Sequence, residues 1–150
     1  MIAALESNSA KGKAFQIAAA TFLGQHFGTQ FQIEQPIAIG IPPKQHRFDF
    51  VSRDLGYVGE AKDFAWTEGN NVPSAKIATI NEAVLYLQHL PQATVRFVVM
   101  PRRTHPKRSE SVAEYYFRTY QHLLDSVRVI EIDLASGTVH EFKPRSQCDE

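Results

Sequence analysis

Apolar residues recur along this chain with two different periods, and each period predicts a different kind of element. From Lys11 to Phe27 they recur every three or four positions, which is typical of an amphipathic helix. Ser9 is a suitable N-cap for that helix and Gly28 a suitable stop. The same spacing predicts two further helices. One is capped by Ser74 and ended by Pro91, and the other covers residues 112–123.

Shorter apolar runs bounded by turn residues predict the strands. These runs are Phe31–Ile39, His46–Val51, Tyr57–Lys62, Val95–Met100, Val127–Asp133 and Val139–Phe142. The last run is expected at a sheet edge. The order of elements is α-β-β-β-α-β-α-β with one more strand, which predicts an α/β fold with a mixed or parallel sheet covered on both faces. The length of 150 residues suits a single domain, residues 1–150.

The second and third strands read as a hairpin, because residues 52–56 between them form a turn signal. A turn centred between Asp54 and Leu55 places Asp49 opposite Glu60, and Arg47 opposite Lys62. Side chains alternate along a strand, so these four charged side chains are expected on one face, shared with Val51 and Val58. The other face is expected to carry Phe48, Phe50, Gly59 and Ala61.

Directly opposed carboxylates repel each other, so the pairing of Asp49 with Glu60 beside Lys62 suggests a divalent cation site. The alternative is a solvated sheet face that carries cross-strand salt bridges. Apolar residues on both faces of the hairpin favour burial. Buried carboxylates are retained when they are paired or bind metal.

Asp49 and the sequence Glu60-Ala61-Lys62 resemble the motif of the PD-(D/E)XK nuclease superfamily, with Phe48 in place of the proline that names the motif. The resemblance implies a restriction-endonuclease-like αβββαβ core, a mixed sheet flanked by helices, over about residues 10–100. A C-terminal helix and strands would follow this core.

A second part of the resemblance lies in the first helix, where many relatives carry Gly-x-x-Phe-Glu. This chain has Gly12, Phe15 and then Gln16 where the acid would stand. An amide adds no charge to a cation, so the resemblance implies one tightly held ion rather than two. Gln16 is alternatively an ordinary exposed helix residue, and Glu6 is a weaker candidate for the missing acid.

The resemblance implies a Mg²⁺-dependent nuclease, with Mn²⁺ as a substitute, that hydrolyses phosphodiester bonds in nucleic acid, with DNA expected. Asp49, Glu60 and the backbone carbonyl of Ala61 would hold the ion together with water. Lys62 would orient the attacking water or neutralise negative charge, and Gln16 would assist by hydrogen bonding. Cleavage of both strands by a small nuclease is compatible with a homodimer, by analogy only.

The balance of charges means that any contact with nucleic acid must come from a local surface. Sixteen basic and sixteen acidic residues cancel, so DNA contact requires a patch. The one basic cluster contains Arg102, Arg103, Lys107 and Arg108 in a loop. These residues are candidate phosphate ligands, or a solvated charge run. The loop of residues 63–73 would hold substrate or only connect elements, and His46 could bond a phosphate.

Other features limit the alternatives. The single cysteine, Cys148, cannot form an internal disulfide, which favours a reducing cytoplasm. The sequence predicts no membrane span and no signal peptide. The histidines are scattered without a zinc-protease pattern. A non-catalytic binding or assembly domain with the nuclease fold remains the main rival, and an unrelated α/β enzyme is a third hypothesis.

Overall fold

The computed structural model describes residues 8–144. It contains three α-helices and six strands: α1 (Asn8–Phe27), β1 (Phe31–Ile39), β2 (Lys44–Ser52), β3 (Tyr57–Ala61), α2 (Ser74–Gln88), β4 (Val95–Pro101), α3 (Val112–Tyr120), β5 (Arg128–Asp133) and β6 (Thr138–Phe142). A 3₁₀ turn over Gln121–Leu123 extends α3. The predicted order of elements is confirmed.

The strands form one sheet in the order β1-β2-β3-β4-β5-β6. The β3–β4 and β4–β5 pairs are parallel, whereas the other three pairs are antiparallel. Parallel neighbours need a crossover connection, and α2 and α3 occupy these two connections. The mixed α/β sheet is therefore confirmed, and β6 lies at an edge as expected.

Helices cover both faces of the sheet. Helix α1 packs through Phe15, Ala19 and Leu23 on a cluster that includes strand residues of β2, β4 and β5. Helices α2 and α3 pack on the opposite face with a larger cluster. Because each face is covered, β4 is buried from its second residue to its last, which explains its continuous apolar sequence. No helix within residues 8–144 is long and apolar enough to cross a membrane.

The helix starts differ from the predicted ones. Ser9 lies within α1 (Asn8–Phe27) rather than at its cap. Ser74 is the first residue of α2, preceded by Pro73, and no side chain caps that helix. A complete capping box is found instead at α3, where Ser111 and Glu114 bond each other's backbone N–H groups. Glu6 and Cys148 lie outside the described residues.

The hairpin has the predicted register but not the predicted faces. Phe50 pairs with Gly59 and Val51 with Val58, as a turn centred between residues 54 and 55 requires. The ladder stops there, so neither of the expected pairs Asp49–Glu60 and Arg47–Lys62 forms as a backbone pair. Arg47 is exposed opposite Pro36 of β1.

Phe48 and Phe50 were expected on one face, but they pack on opposite faces. Phe48 joins the α2 side together with Val51 and Val58, and Phe50 joins the α1 side. Side chains of β1 and β2 exchange faces of the sheet between these two residues, a reversal that we call the turn-over. On β1, Ile33 packs on the α1 side and Ile37 on the α2 side, although both positions are odd. Simple alternation along β2 therefore fails at Asp49.

Candidate functional site

Asp49 lies at the point where β2 turns over. The β1–β2 ladder pairs Ile33 with Phe50 and then continues from Gln35 paired with Phe48. Glu34, between the two paired β1 residues, has a φ of 56°. A left-handed backbone conformation is unfavourable for a glutamate and is uncommon within a strand. Beside Asp49 the backbone pairing of β2 with β3 ends, and Phe50–Gly59 is its last pair.

The carboxylate of Asp49 lies between β2 and β3 and accepts a hydrogen bond that a backbone carbonyl of β2 would accept in a regular ladder. Its Oδ2 accepts a hydrogen bond from the N–H of Ala61 at 2.8 Å. The next N–H, that of Lys62, donates to the carbonyl of Val99 on β4 at 2.9 Å. Backbone groups of successive strand residues point to opposite sides, so the carbonyl of Ala61 points to the same side as Asp49. The predicted ligands Asp49 and Ala61 are thus brought together.

Gln16 is buried, with 4% of its surface exposed. Its Nε2 donates to Oδ1 of Asp49 at 3.1 Å and to the backbone carbonyl of Asp49 at 3.3 Å. The helix places it there because Phe15 and Ala19 anchor α1 to the sheet. The exposed-helix alternative for Gln16 is therefore wrong. The two hydrogen bonds of the amide fix the orientation of Asp49.

Glu60 is also buried, with 7% of its surface exposed. Burial, followed by a hydrogen bond to Asp49 and the negative charge of Asp49, raises the pKa of Glu60 to about 10. Lys62 opposes this rise only partly. Two carboxyl groups that share a buried site cannot both ionise easily. Without a cation, the pair therefore holds one proton at neutral pH.

His46 supplies the second contact of Glu60. Its Nε2 lies 2.8 Å from Oε1 of Glu60, and its ring stacks on Tyr86 with centroids 4.0 Å apart. Burial lowers the pKa of His46, and Lys62 adds to this effect, against the opposing charges of Asp49 and Glu82. A neutral histidine that donates from Nε2 to Glu60, while Glu60 donates its proton to Asp49, satisfies all of these contacts. The short distance is then a neutral hydrogen bond rather than an ion pair.

The side chains open into a cleft of about 590 Å³. Its lining consists of Ala10, Gly12, Lys13, Gln16, Glu34, Asp49, Glu60, Ala61 and Lys62. All of the predicted catalytic and metal-binding residues are in this set. Arg47 is not, so only three of the four charges expected on one face meet here.

Sequence reasoning missed Lys13 and Glu34 in this cleft. Nζ of Lys13 lies 2.9 Å from Oε2 of Glu34, with both side chains about two-fifths exposed. Lys13 precedes Gln16 by three positions in α1, so helical spacing places the two on one face and offered a signal. Glu34 gave no signal, because its position depends on the turn-over of β1.

The basic loop is largely occupied by contacts within the protein. Arg102 bonds both Glu114 and Glu131. Arg103 forms two bonds to Asp63. Neither guanidinium is therefore a free phosphate ligand, although DNA contact by this loop stays a prediction.

Arg108 stabilises the loop of residues 63–73 through contacts of its guanidinium. It bonds the side chain and the carbonyl of Asn70, and it lies 4.1 Å from the centroid of the buried Trp66 ring. These contacts favour a connecting role for the distal part of that loop. Lys107 is exposed, and its side chain has no hydrogen bond or ion pair within residues 8–144.

The donor set suits a hard divalent cation. Carboxylate and carbonyl oxygens are the protein ligands that Mg²⁺ prefers, and Mg²⁺ keeps several waters. The residues present, Asp49, Glu60 and the carbonyl of Ala61, offer such oxygens on one side of β3. Within residues 8–144 no group of three or more His, Cys, Asp or Glu side chains is placed to hold a metal. Asp49 and Glu60 are two carboxylates, a number with which Mg²⁺ is commonly bound when waters complete its coordination.

Comparisons with known proteins add little to this geometry. No protein-family model matches the chain, and no curated protein matches it. Among solved structures, the chain is similar to an fdxN element excision controlling factor protein from Anabaena variabilis, with a TM-score of 0.47 and 10% sequence identity. The match covers 85% of this chain and 96% of the other. At this level the similarity carries no argument about function.

Proposed function

We propose that this protein is a Mg²⁺-dependent nuclease that hydrolyses phosphodiester bonds in DNA. One observation supports the proposal above the others. Two carboxyl groups, Asp49 and Glu60, are held together in a largely buried position that opens into a solvent cleft beside Lys62. Such a pair cannot ionise fully without cost, so it either shares a proton or binds a cation.

The chain's own residues provide binding and orientation. Gln16 and the N–H of Ala61 each bond one oxygen of Asp49, and His46 bonds one oxygen of Glu60. These contacts fix the orientation of both carboxyl groups. When bound, Mg²⁺ would act as a Lewis acid and lower the pKa of a water molecule that it coordinates. Lys62 places a positive charge at the same opening, where it offsets the negative charge of a phosphodiester.

Metal binding in this site competes with the shared proton. Because the pKa of Glu60 is raised to about 10 without metal, a cation must displace a proton from the Asp49–Glu60 pair. Divalent affinity is therefore expected to increase with pH in the neutral range.

A non-catalytic role is the second candidate, and specific contacts favour it. Both oxygens of Asp49 already accept N–H bonds, and one oxygen of Glu60 is held by His46. Gln16 replaces the acid that the resembled superfamily carries. A domain of this kind would bind nucleic acid or assemble with other proteins without cleaving.

The deciding experiment is cleavage of supercoiled plasmid DNA with Mg²⁺ or Mn²⁺, with EDTA as the control. We expect nicked product with the divalent ion, none with EDTA, and none with Lys62→Ala, which leaves both carboxylates in place. A parallel RNA substrate tests the expected preference for DNA. Equal cleavage by wild type and Lys62→Ala would remove Lys62 from the mechanism, and no cleavage by wild type would support the non-catalytic role.

The proposal has two further parts, the cellular setting and the number of active sites. The single cysteine favours a reducing, cytoplasmic setting. Cleavage of both strands of a duplex would use two copies of the site, as in a homodimer. Conversion of nicked plasmid to linear DNA, measured against protein concentration, tests the second point.

A further inference from the structure

A second cleft, of about 610 Å³, adjoins the Asp49–Glu60 cleft. Four cationic side chains line it, together with one carboxylate and one aromatic ring: Lys11, Lys62, Lys76, Arg103, Asp63 and Phe64. Gly12, Ala61 and Lys62 line both clefts. Lys62 therefore stands at the boundary between an acidic and a basic depression on one continuous surface.

The cations of this basic cleft come from separate parts of the chain. Lys11 is on α1, Lys76 is in the first turn of α2, and Arg103 follows β4. No local sequence cluster reveals them. The fold brings them together with Lys62 in a protein whose formal net charge is zero.

Only one of these positive charges is neutralised within residues 8–144. Arg103 uses Nε and Nη2 to bind both oxygens of Asp63. Lys11, Lys62 and Lys76 form no ion pair with any residue in this range. The lining thus carries three positive charges in excess. Like charges that converge in a cleft raise its potential and attract anions.

The aromatic ring gives the cleft a second property. Phe64 is partly buried against the core, and Nζ of Lys76 lies 5.8 Å from its centroid. Grooves that bind single strands of nucleic acid combine cations along the backbone with aromatic side chains on which bases stack. An acidic peptide would use the cations but would have no use for the flat ring face.

We propose that the basic cleft binds the backbone phosphates and a base of the nucleic-acid strand on one side of the bond held at Asp49 and Glu60. This inference rests on the proposed nuclease function, since it assigns a substrate path to the same site. The strand would pass Lys62 from the acidic cleft and then contact Lys11 and Lys76, whose charges are unpaired within residues 8–144. The exposed basic loop at Lys107 lies outside this path.

The test is DNA binding without cleavage, so that it is independent of nuclease activity. Fluorescence anisotropy of a labelled single-stranded oligonucleotide is measured in EDTA over a series of salt concentrations. The variant is Lys11→Ala/Lys76→Ala, in which both lysines are exposed. The matched control is Lys44→Ala/Arg53→Ala, which removes two exposed charges from β2 and the turn that follows it.

We expect the cleft variant to bind about tenfold more weakly at low salt, and its slope of log affinity against log salt to fall by about 1.4, the value for two lost phosphate contacts on a single strand. The control variant should bind as wild type does. Circular dichroism melts confirm that all variants fold.

Three results would overturn the inference: unchanged affinity of the cleft variant, an equal loss in the Lys44→Ala/Arg53→Ala control, or tighter binding of a polyglutamate peptide than of DNA. A protein that binds DNA through the cleft but cleaves nothing would refute the nuclease function alone. Cleavage without loss of binding in the cleft variant would refute the cleft alone.

Discussion

Replacement of Glu60 by glutamine should change how stability depends on pH in the metal-free protein. The amide introduced by Glu60→Gln has the shape of a protonated carboxyl group. It can donate to Asp49 and accept from His46, so it retains the contacts that the shared proton makes. Unlike the glutamate, it never ionises. Glu60→Gln therefore isolates the energetic effect of the proton on Glu60.

The sign follows from proton binding. The pKa of Glu60 is raised from 4.5 to about 10 in the folded state. Between these values the folded protein holds a proton that the unfolded chain releases, so stability falls as pH rises. The slope approaches about 1.4 kcal/mol per pH unit. From pH 7.5 to 9.0, wild type should lose about 2 kcal/mol more than Glu60→Gln does.

Urea unfolding in EDTA, followed by circular dichroism at several pH values between about 7.5 and 9.0, measures this difference. The window lies above the titration of His46, whose pKa is lowered by burial. Glu141→Gln is the matched control. Burial raises the pKa of Glu141, but bonds from His26 and Arg128 outweigh this and lower it, so the control should keep the wild-type slope. Parallel slopes for wild type and Glu60→Gln would refute the shared proton.

Three further predictions test separate parts of the account. Lys62→Ala should abolish cleavage while divalent affinity, measured by calorimetry, stays nearly unchanged; wild-type cleavage would remove Lys62 from the mechanism. Gly59→Ala should destabilise by about 1–3 kcal/mol in urea unfolding, because the new Cβ would overlap the Phe97 ring, whereas Gly12→Ala, which meets nothing within 4 Å, should be neutral or slightly stabilising. Equal stabilities would contradict this packing. Arg108→Ala should lower stability by about 1–2 kcal/mol through lost contacts with Trp66 and Asn70, with DNA affinity unchanged; weaker binding at equal stability would return this residue to the DNA path.

Local patterns were sufficient to predict the order of the elements and the register of the hairpin. The period of apolar residues reports which side of an element is buried, and a short turn fixes which residues pair. The pairs Phe50–Gly59 and Val51–Val58 follow from that information. The gathering of Asp49, Glu60 and Lys62 follows as well, because it depends on the same turn.

The missed features depend on tertiary structure. The turn-over of β1 and β2 at Glu34 places Phe48 and Phe50 on opposite faces of the sheet. No residue type at that position predicts it. The contact of His46 with Glu60 was likewise not predicted from the sequence. A basic surface assembled from different elements likewise has no signal in a linear search for charge clusters.

The arginines of the basic loop show the same limit. Their density in the sequence predicted a phosphate-binding patch. In the structure Arg102 and Arg103 meet carboxylates from β5, α3 and the loop after β3. Sequence composition counts charges but does not show which of them are already paired.

The most direct test of the account is the thermal stability of wild type and Glu60→Gln with EDTA and with Mg²⁺ or Mn²⁺. A cation held by Asp49 and Glu60 should stabilise wild type by about 2.7 kcal/mol at a hundred times its dissociation constant. That corresponds to a rise in Tm of roughly 5–10 °C for a chain of this size. Glu60→Gln, which keeps the network but lacks the charge, should gain almost nothing. A wild-type melting curve that does not respond to either ion would contradict the metal site and the function proposed from it.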